Sequence, residues 1–365
     1  MKALVISPYI PHTSTGGSGL KLLSTLQCLS EKYEITLITF YSNRKELDIL
    51  QNETLKIVSE ILPVNKNIKF SKFKYVFFRK YDFIKRFWSN YINSFLKNNA
   101  AQYNIIYLDS IFNAQYIDNF VHNNIVVDFH NFHSEIIEEN LVYEKSNIKK
   151  KILIREFEKV KKFETEILKN MRLKKIITGN IPESLKNNAF KFIKLIPVPD
   201  LKFNFEETRE TILFTGNFSW IPNILAVDDF IETAQKNMDK KFIIAGKNLN
   251  KIKKKFPENI ELKTDFKNHP ELFSKSGAFF CPVKKGSGIN MKLIEALSAG
   301  MHIFTTEESV KKIPEIENHV TVCRNITEFT EKIKNFKFNT DISKQNTDFI
   351  SKLKKSEREK FLSFI

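Results

Sequence analysis

The residues best equipped for chemistry lie between Lys284 and Gly300, in the order Lys284-Lys285-Gly286-Ser287-Gly288-Ile289-Asn290-Met291-Lys292-Leu293-Ile294-Glu295-Ala296-Leu297-Ser298-Ala299-Gly300. An apolar run precedes them, glycines mark a turn, and apolar residues recur at helical spacing up to Gly300, a C-terminal stop. Backbone N–H groups at a glycine-flanked helix start suit a phosphate. Lys292 in the first turn opposes the helix macrodipole by ~0.3–1 kcal/mol, and Lys284 and Lys285 add to it, so an anion is expected there. Helical side chains lean toward the N-terminus, which brings the Glu295 carboxylate beside that anion, where it can accept two hydrogen bonds from a ribose. The alternative is a solvated Lys292–Glu295 pair worth roughly a few tenths of a kcal/mol. Gly288, Lys292, Glu295 and Ala299 are expected on one helical face, and Ile289, Leu293, Ala296 and Leu297 on the face that packs on a sheet.

Two weaker candidates lie earlier. Thr13-Ser14-Thr15-Gly16-Gly17-Ser18-Gly19 is a second strand-to-helix glycine loop, but it is not GxGxxG. The strand about twenty residues beyond it, Ile35 to Phe40, ends without the acid that grips a nicotinamide cofactor's ribose, and Ala245-Gly246-Lys247 also lacks one; both absences argue against a dehydrogenase. Val126-Val127-Asp128-Phe129-His130-Asn131-Phe132-His133-Ser134-Glu135 places an acid and two histidines at a strand end, where ligands collect. Asp-x-His…His is a possible metal set, yet no further ligand cluster has suitable spacing, so no metal and no cofactor is expected. For His130, ligand contact and a structural role both stay open.

These segments need a scaffold of alternating strands and helices. Ala3 to Ser7 reads as a buried strand, Leu20, Leu22, Leu23, Leu26 and Leu29 as a helix, and Glu34 to Phe40 as the next strand, a βαβ unit. Ile105 to Leu108 and Ile125 to Val127 continue a parallel sheet. The rhythm restarts after Ile196-Pro197-Val198-Pro199-Asp200, with a polar stretch from Asn204 to Glu210, strands at Thr211 to Thr215, Phe242 to Ala245 and Ala278 to Val283, and a helix from about Asn223. The expected division is residues 1–197 and 198–344, with closing helices over about 345–365 packing back on the first domain.

At 365 residues, two domains of ordinary size are expected. The chain is 42% apolar, 13% aromatic and 27% charged, with ten Gly and eleven Pro, which excludes disordered and collagen-like classes. Three cysteines, Cys28, Cys281 and Cys323, are far apart and form no CxxC, and they are expected to be buried thiols. No apolar run approaches the ~18 residues of a membrane span, and the amino terminus lacks a secretory core, so the expected location is the cytoplasm. The net charge of +16 favours an anionic partner. Charge is densest from Lys66 to Arg86, threaded with aromatics including Phe83, Phe87 and Trp88. That cluster fits an anionic membrane surface, or equally a helix with an aromatic core face and solvated lysines; nucleic acid ranks third and is not the partner expected.

Taken together, SPYIPHTSTGGSGLKLL, DFHNFHSE, ILFTGNFSWIPN and CPVKKGSGINMKLIEALSAG resemble the family-four glycosyltransferases of the GT-B fold, and the likeness spans nearly the whole chain. The resemblance implies an α/β architecture of two Rossmann-like, doubly wound domains facing across a cleft. A nucleotide-sugar donor would lie mainly on the second domain and a glycan or lipid-linked acceptor on the first. It implies that Glu295 holds the ribose hydroxyls and that Ser287, Gly288, Ile289, Asn290 and Met291 form the turn cradling diphosphate and sugar. Gly216 and Asn217 join the donor-binding set, and Gly16 and Gly17 close on the diphosphate. His130 falls where such enzymes place a histidine beside the donor sugar, and Lys292 is assigned to the departing diphosphate. The chain departs from the family's pattern at Ser287, which replaces the first of two glutamates seven residues apart, and at Asn217 and Pro222, where an Arg and a Lys often stand; Lys284, Lys285 and Lys292 are the available substitutes. The resemblance implies transfer with retention and without metal, the leaving phosphate helping to deprotonate the acceptor.

Overall fold

The computed structural model describes residues 1–12, 15–66, 83–178, 192–201, 203, 209–264, 269–284 and 288–365. The chain divides into Met1–Pro197 with Glu357–Ile365, and Val198–Ser356.

In the first unit, β1 (Lys2–Ser7), α1 (Gly17–Leu29), β2 (Glu34–Tyr41), α2 (Arg44–Asn52), β3 (Glu60–Asn65), α3 (Asn90–Asn99), β4 (Ile105–Asp109), β5 (Ile125–Phe129), α4 (His133–Tyr143), α5 (Asn147–Lys169), β6 (Leu173–Ile177) and β7 (Ile193–Lys194) follow in order. All seven strands pair in parallel, in the order β3-β2-β1-β4-β5-β6-β7. The continuous apolar runs of β1, β4 and β5 are buried on both faces, as parallel sheets covered by helices require. Side chains alternate between two cores: Leu4, Ile6, Ile106 and Leu108 pack with Phe87, Phe112 and Tyr116, while Ala3, Val5, Ile105 and Tyr107 pack with Leu22, Leu26 and Phe361.

The second unit runs β8 (Thr211–Thr215), α6 (Ile221–Gln235), β9 (Phe242–Ala245), β10 (Ile260–Lys263), α7 (His269–Ser274), β11 (Ser276–Cys281), α8 (Met291–Ser298), β12 (His302–Thr305), α9 (Glu307–Lys311), β13 (Thr321–Val322) and α10 (Ile326–Lys334). Its sheet order is β10-β9-β8-β11-β12-β13, again parallel. The last helix, α11 (Thr340–Phe364), starts in the second unit, and the chain joins the first from Glu357 rather than from about residue 345. Arg358 and Lys360 fasten that end, pairing with Glu31 and with the Lys194 carbonyl.

In each sheet the winding reverses beside the first strand, between β1 and β4 and between β8 and β11. Loops part at such a point, so the carboxyl ends of these strands form the natural ligand seats. The sequence left several elements unseen. β3 is a half-exposed edge strand carrying Pro63, and β10 is the short run Ile-Glu-Leu-Lys, so neither shows a continuous apolar pattern. No helix among the described residues is long and apolar enough to cross a membrane.

Candidate functional site

The second unit's seat starts where β8 and β9 end. Gly246 has φ +151, and a Cβ there would lie 1.7 Å from the Gly216 carbonyl oxygen, so two glycines let the loops touch. Their ladder continues past the strands, with Gly216 N–H donating to Ala245 O at 2.9 Å and Phe218 N–H to Lys247 O at 2.9 Å. Asn217, expected near the donor, spends its side chain on the loop itself. Its Oδ1 accepts from Ser219 Oγ at 2.8 Å and from Asn248 Nδ2 at 3.0 Å, the latter on a left-handed residue. Pro222 occupies the first turn of α6 and is buried, so no cation projects from either position.

Helix α8 starts at Met291, capped by Asn290, whose Oδ1 accepts from Lys292 N–H at 3.3 Å and whose Nδ2 donates to Cys281 Sγ at 3.0 Å. Gly288 and Ile289 therefore precede the helix, a correction to the helical face expected of them; Asn290 and Met291 mark its start. The strand before it is Ser276–Cys281, not 278–283. Lys285, Gly286 and Ser287 lie outside the described residues. Gly300 ends the helix as anticipated, at φ +63, with Gly300 N–H on Leu297 O and Met301 N–H on Ala296 O. Arg209, in the stretch read as polar linker, is buried and donates to Ala299 O at 2.7 Å.

Lys292 and Glu295 stand one turn apart on α8. Lys292 Nζ donates to Asn223 Oδ1 at 3.1 Å, and Asn223 Nδ2 in turn donates to Asn217 O at 2.9 Å, tying α8 to the β8 loop. Burial lowers the Lys292 ammonium from its ordinary value. Glu295 is 3% exposed, and burial pushes its carboxyl up to about 8 against the opposing pull of Lys292. These are a cation and a carboxyl placed at low dielectric beside glycine turns. Lys284, by contrast, is exposed and paired with Asp229 at 2.8 Å.

In the first unit, Gly16 caps α1 at φ +88, and Gly16 and Gly17 are exposed. Gly19 is the position under steric demand, since a Cβ there would meet Thr15 Oγ1 at 1.8 Å. His130 is buried just past β5, its ring stacked on Tyr9 with centroids 5.2 Å apart and its Nε2 bonded to Asp109 Oδ1. Asp109 also accepts from Ser7 Oγ at 2.5 Å. Burial alone raises a carboxyl, but His130, Lys21 and Ser7 together hold Asp109 below its usual value. Lys21 pairs with Asp128, which also takes the Tyr107 hydroxyl. Sequence reasoning missed Asp109, Lys21, Ser7 and Asn223. Asp109 had a signal, an acid at the carboxyl end of an apolar strand; Lys21 showed only as a cation within a leucine run.

Of the basic stretch read as a membrane surface, residues 67–82 lie outside the described residues; Lys66, Lys85 and Arg86 are described.

Residues 209–336 match the family described as Glycosyl transferases group 1. No protein of curated function matches the chain by sequence. Among solved structures, HepE of Anabaena in complex with UDP and glucose superposes with a TM-score of 0.66 at 11% identity, covering 100% of this chain and 98% of that one. A mutant of S. aureus TarM in complex with Fondaparinux, alpha-GlcNAc-glycerol and UDP gives 0.63 at 14% identity, covering 100% and 99%. WaaG, a glycosyltransferase involved in lipopolysaccharide biosynthesis, gives 0.60 at 12% identity, covering 99% and 98%. With two parallel α/β sheets and this likeness over its whole length, the chain has the GT-B glycosyltransferase fold, and within its second unit residues 209–336 are similar to the group 1 glycosyl transferases.

Proposed function

We propose that the protein moves a sugar from a nucleoside diphosphate sugar to a hydroxyl of a glycan or lipid-linked glycan in the cytoplasm, with retention and without metal. The observation that carries this reading is the seat at α8, where the buried Glu295 follows Lys292 by one turn beside the touching loops of Gly216 and Gly246, within the segment that matches the glycosyl transferase family. In this reading Glu295 accepts the ribose hydroxyls, and the turn through Gly288 and Ile289 to Met291 holds the diphosphate on backbone N–H groups. Lys292 stabilises charge growing on the leaving diphosphate. His130 is assigned to the sugar in transfer, and the leaving phosphate oxygen takes the acceptor's proton. Solved neighbours bound to UDP, to UDP with glucose, and to UDP with a glycoside support a nucleotide-sugar donor.

A thermal-shift screen of UDP-, GDP- and dTDP-sugars tests this reading. A donor at about 100 times its Kd adds about 2.7 kcal/mol to stability, so a flat response to all three classes counts against the reading. Donor hydrolysis or transfer abolished by Glu295→Ala separates an enzyme from a silent binding protein of the same fold.

A further inference from the structure

The outer carboxyl edge of the first unit's sheet carries two cations on one aromatic ring. Lys66 directly follows β3 and extends its ladder, its N–H donating to Tyr41 O at 2.8 Å. Its Nζ lies 4.1 Å from the Phe87 ring centroid, and the Arg86 guanidinium carbon lies 4.7 Å from the same centroid. Arg86 also covers Phe83 at 4.6 Å and Phe112 at 4.3 Å. Phe87 and Phe112 are buried, so the rings fix both cations from beneath. Among the described residues neither cation has an ion pair with Asp or Glu. Burial, and then Arg86, lower the Lys66 ammonium, with only Glu46 opposing. Lys66 is half-buried and Arg86 exposed over the same ring; like charges held there repel, and the arrangement is relieved by an anion that meets both.

We infer that Lys66 and Arg86 form a seat for a phosphate monoester carried by the acceptor. The charge count favours phosphate over a carboxylate: two cations match a group bearing about −1.5 to −2 at pH 7. Guanidinium adds a bidentate fork suited to phosphate oxygens, and ammonium a point charge beside it. The pair belongs to the edge that holds His130. Arg86 acts electrostatically on Tyr9, the ring stacked on His130, and on His133. This rests on the proposed transferase reading and narrows its acceptor to phosphate-bearing molecules.

Calorimetric titration of glycerol 1-phosphate into the full chain, alone and with saturating UDP, tests the seat, with glycerol and acetate as controls. The expected result is saturable binding that survives UDP, is absent for glycerol, is weaker for acetate, and falls about tenfold in each of Lys66→Gln and Arg86→Gln. No saturable binding, displacement by UDP, or binding retained in both variants overturns the inference. If UDP itself does not bind, the donor reading falls, while the titration without UDP still decides on the pair. Thermal melting checks each variant, and the wild-type titration stands if either misfolds. Sedimentation with phosphatidic acid vesicles, lost in the same variants, assigns the ester to a lipid; sedimentation retained in them counts against the seat.

Discussion

The backbone of Gly246 rests on the carbonyl of Gly216, with no room for even one methyl group between them. Any larger residue at position 246 must separate the β8 and β9 loops, and φ +151 adds strain for an L side chain. Gly246→Ala should therefore cost about 1–3 kcal/mol or more in chemical denaturation. The same variant should lose UDP affinity by calorimetry, because the Asn217–Asn248 bond and the Asn223 bridge to Lys292 both depend on that contact.

Glu295 gives a pH prediction with a definite sign. Its folded carboxyl stands at about 8 against an ordinary 4.5, so the folded state binds the proton more tightly than the unfolded chain. Its contribution to stability is present below the unfolded value and is lost as pH rises towards 8, at up to about 1.4 kcal/mol per unit. Glu295→Gln should melt higher than wild type at pH 9 and nearly equally at pH 4, while its UDP-sugar affinity falls by about ten- to a hundredfold. In the wild type, donor affinity should rise from pH 7 to 9 as the carboxylate becomes available to hydroxyl donors. A Glu295→Gln protein that melts lower at pH 9 would contradict this burial argument.

What the sequence revealed follows from what is local in it. The turn, helix and stop from Gly288 to Gly300, and the strands Thr211–Thr215 and Phe242–Ala245, were legible because apolar periodicity and glycines mark them within a few residues. The partners of the chemistry were not. Asp109 meets His130 across 21 residues, Lys21 on α1 meets Asp128 on β5, and Asn223 reaches Lys292 across 69. Such pairings are set by strand order, which a single sequence does not display. Charged strands were lost for a related reason: Lys175 lies buried in β6 with its ammonium on the Asn170 carbonyl, so Leu-Lys-Lys-Ile-Ile did not read as a core strand.

The Asp109–His130 pair gives a prediction about metal. Asp109, Asp128 and His130 offer ligand atoms within 4.8 Å of one another, but the Lys21 ammonium already sits against Asp128 as the cluster's cation. Mn²⁺ or Zn²⁺ should leave the wild-type melting temperature unchanged, and a rise of several degrees would reassign the cluster. Asp109→Asn should cost about 3–5 kcal/mol near neutrality by breaking a buried pair. Asp109 is held below its unfolded value, so its contribution is present above that value and lost as pH falls through the folded one; the deficit of Asp109→Asn should close in acid.

His133 and Glu164 set opposing pH slopes at the start of α4. His133 lies against Phe112, ring centroids 4.2 Å apart, and burial, Arg86 and His130 push it well below its ordinary 6.5. A histidine kept neutral leaves stability intact above pH 6.5 and drains it as pH falls, because the unfolded chain takes the proton first. Glu164 on α5 accepts from His133 N–H at 2.6 Å and Ser134 Oγ at 2.5 Å, yet burial still raises it to about 7. Its contribution runs the other way, lost as pH rises from 4.5 to 7. Between pH 4.5 and 6.5 the two partly cancel in the wild type, and single variants should expose each slope. His133→Phe, which keeps the ring between its neighbours, should melt higher than wild type at pH 5 and about equally at pH 8. Glu164→Gln, which keeps one acceptor oxygen, should gain on the wild type as pH rises from 4.5 to about 7 and hold that gain above it. Parallel melting curves for wild type and His133→Phe from pH 5 to 8 would show that His133 takes its proton as readily in the folded chain as in the unfolded one, against the burial argument.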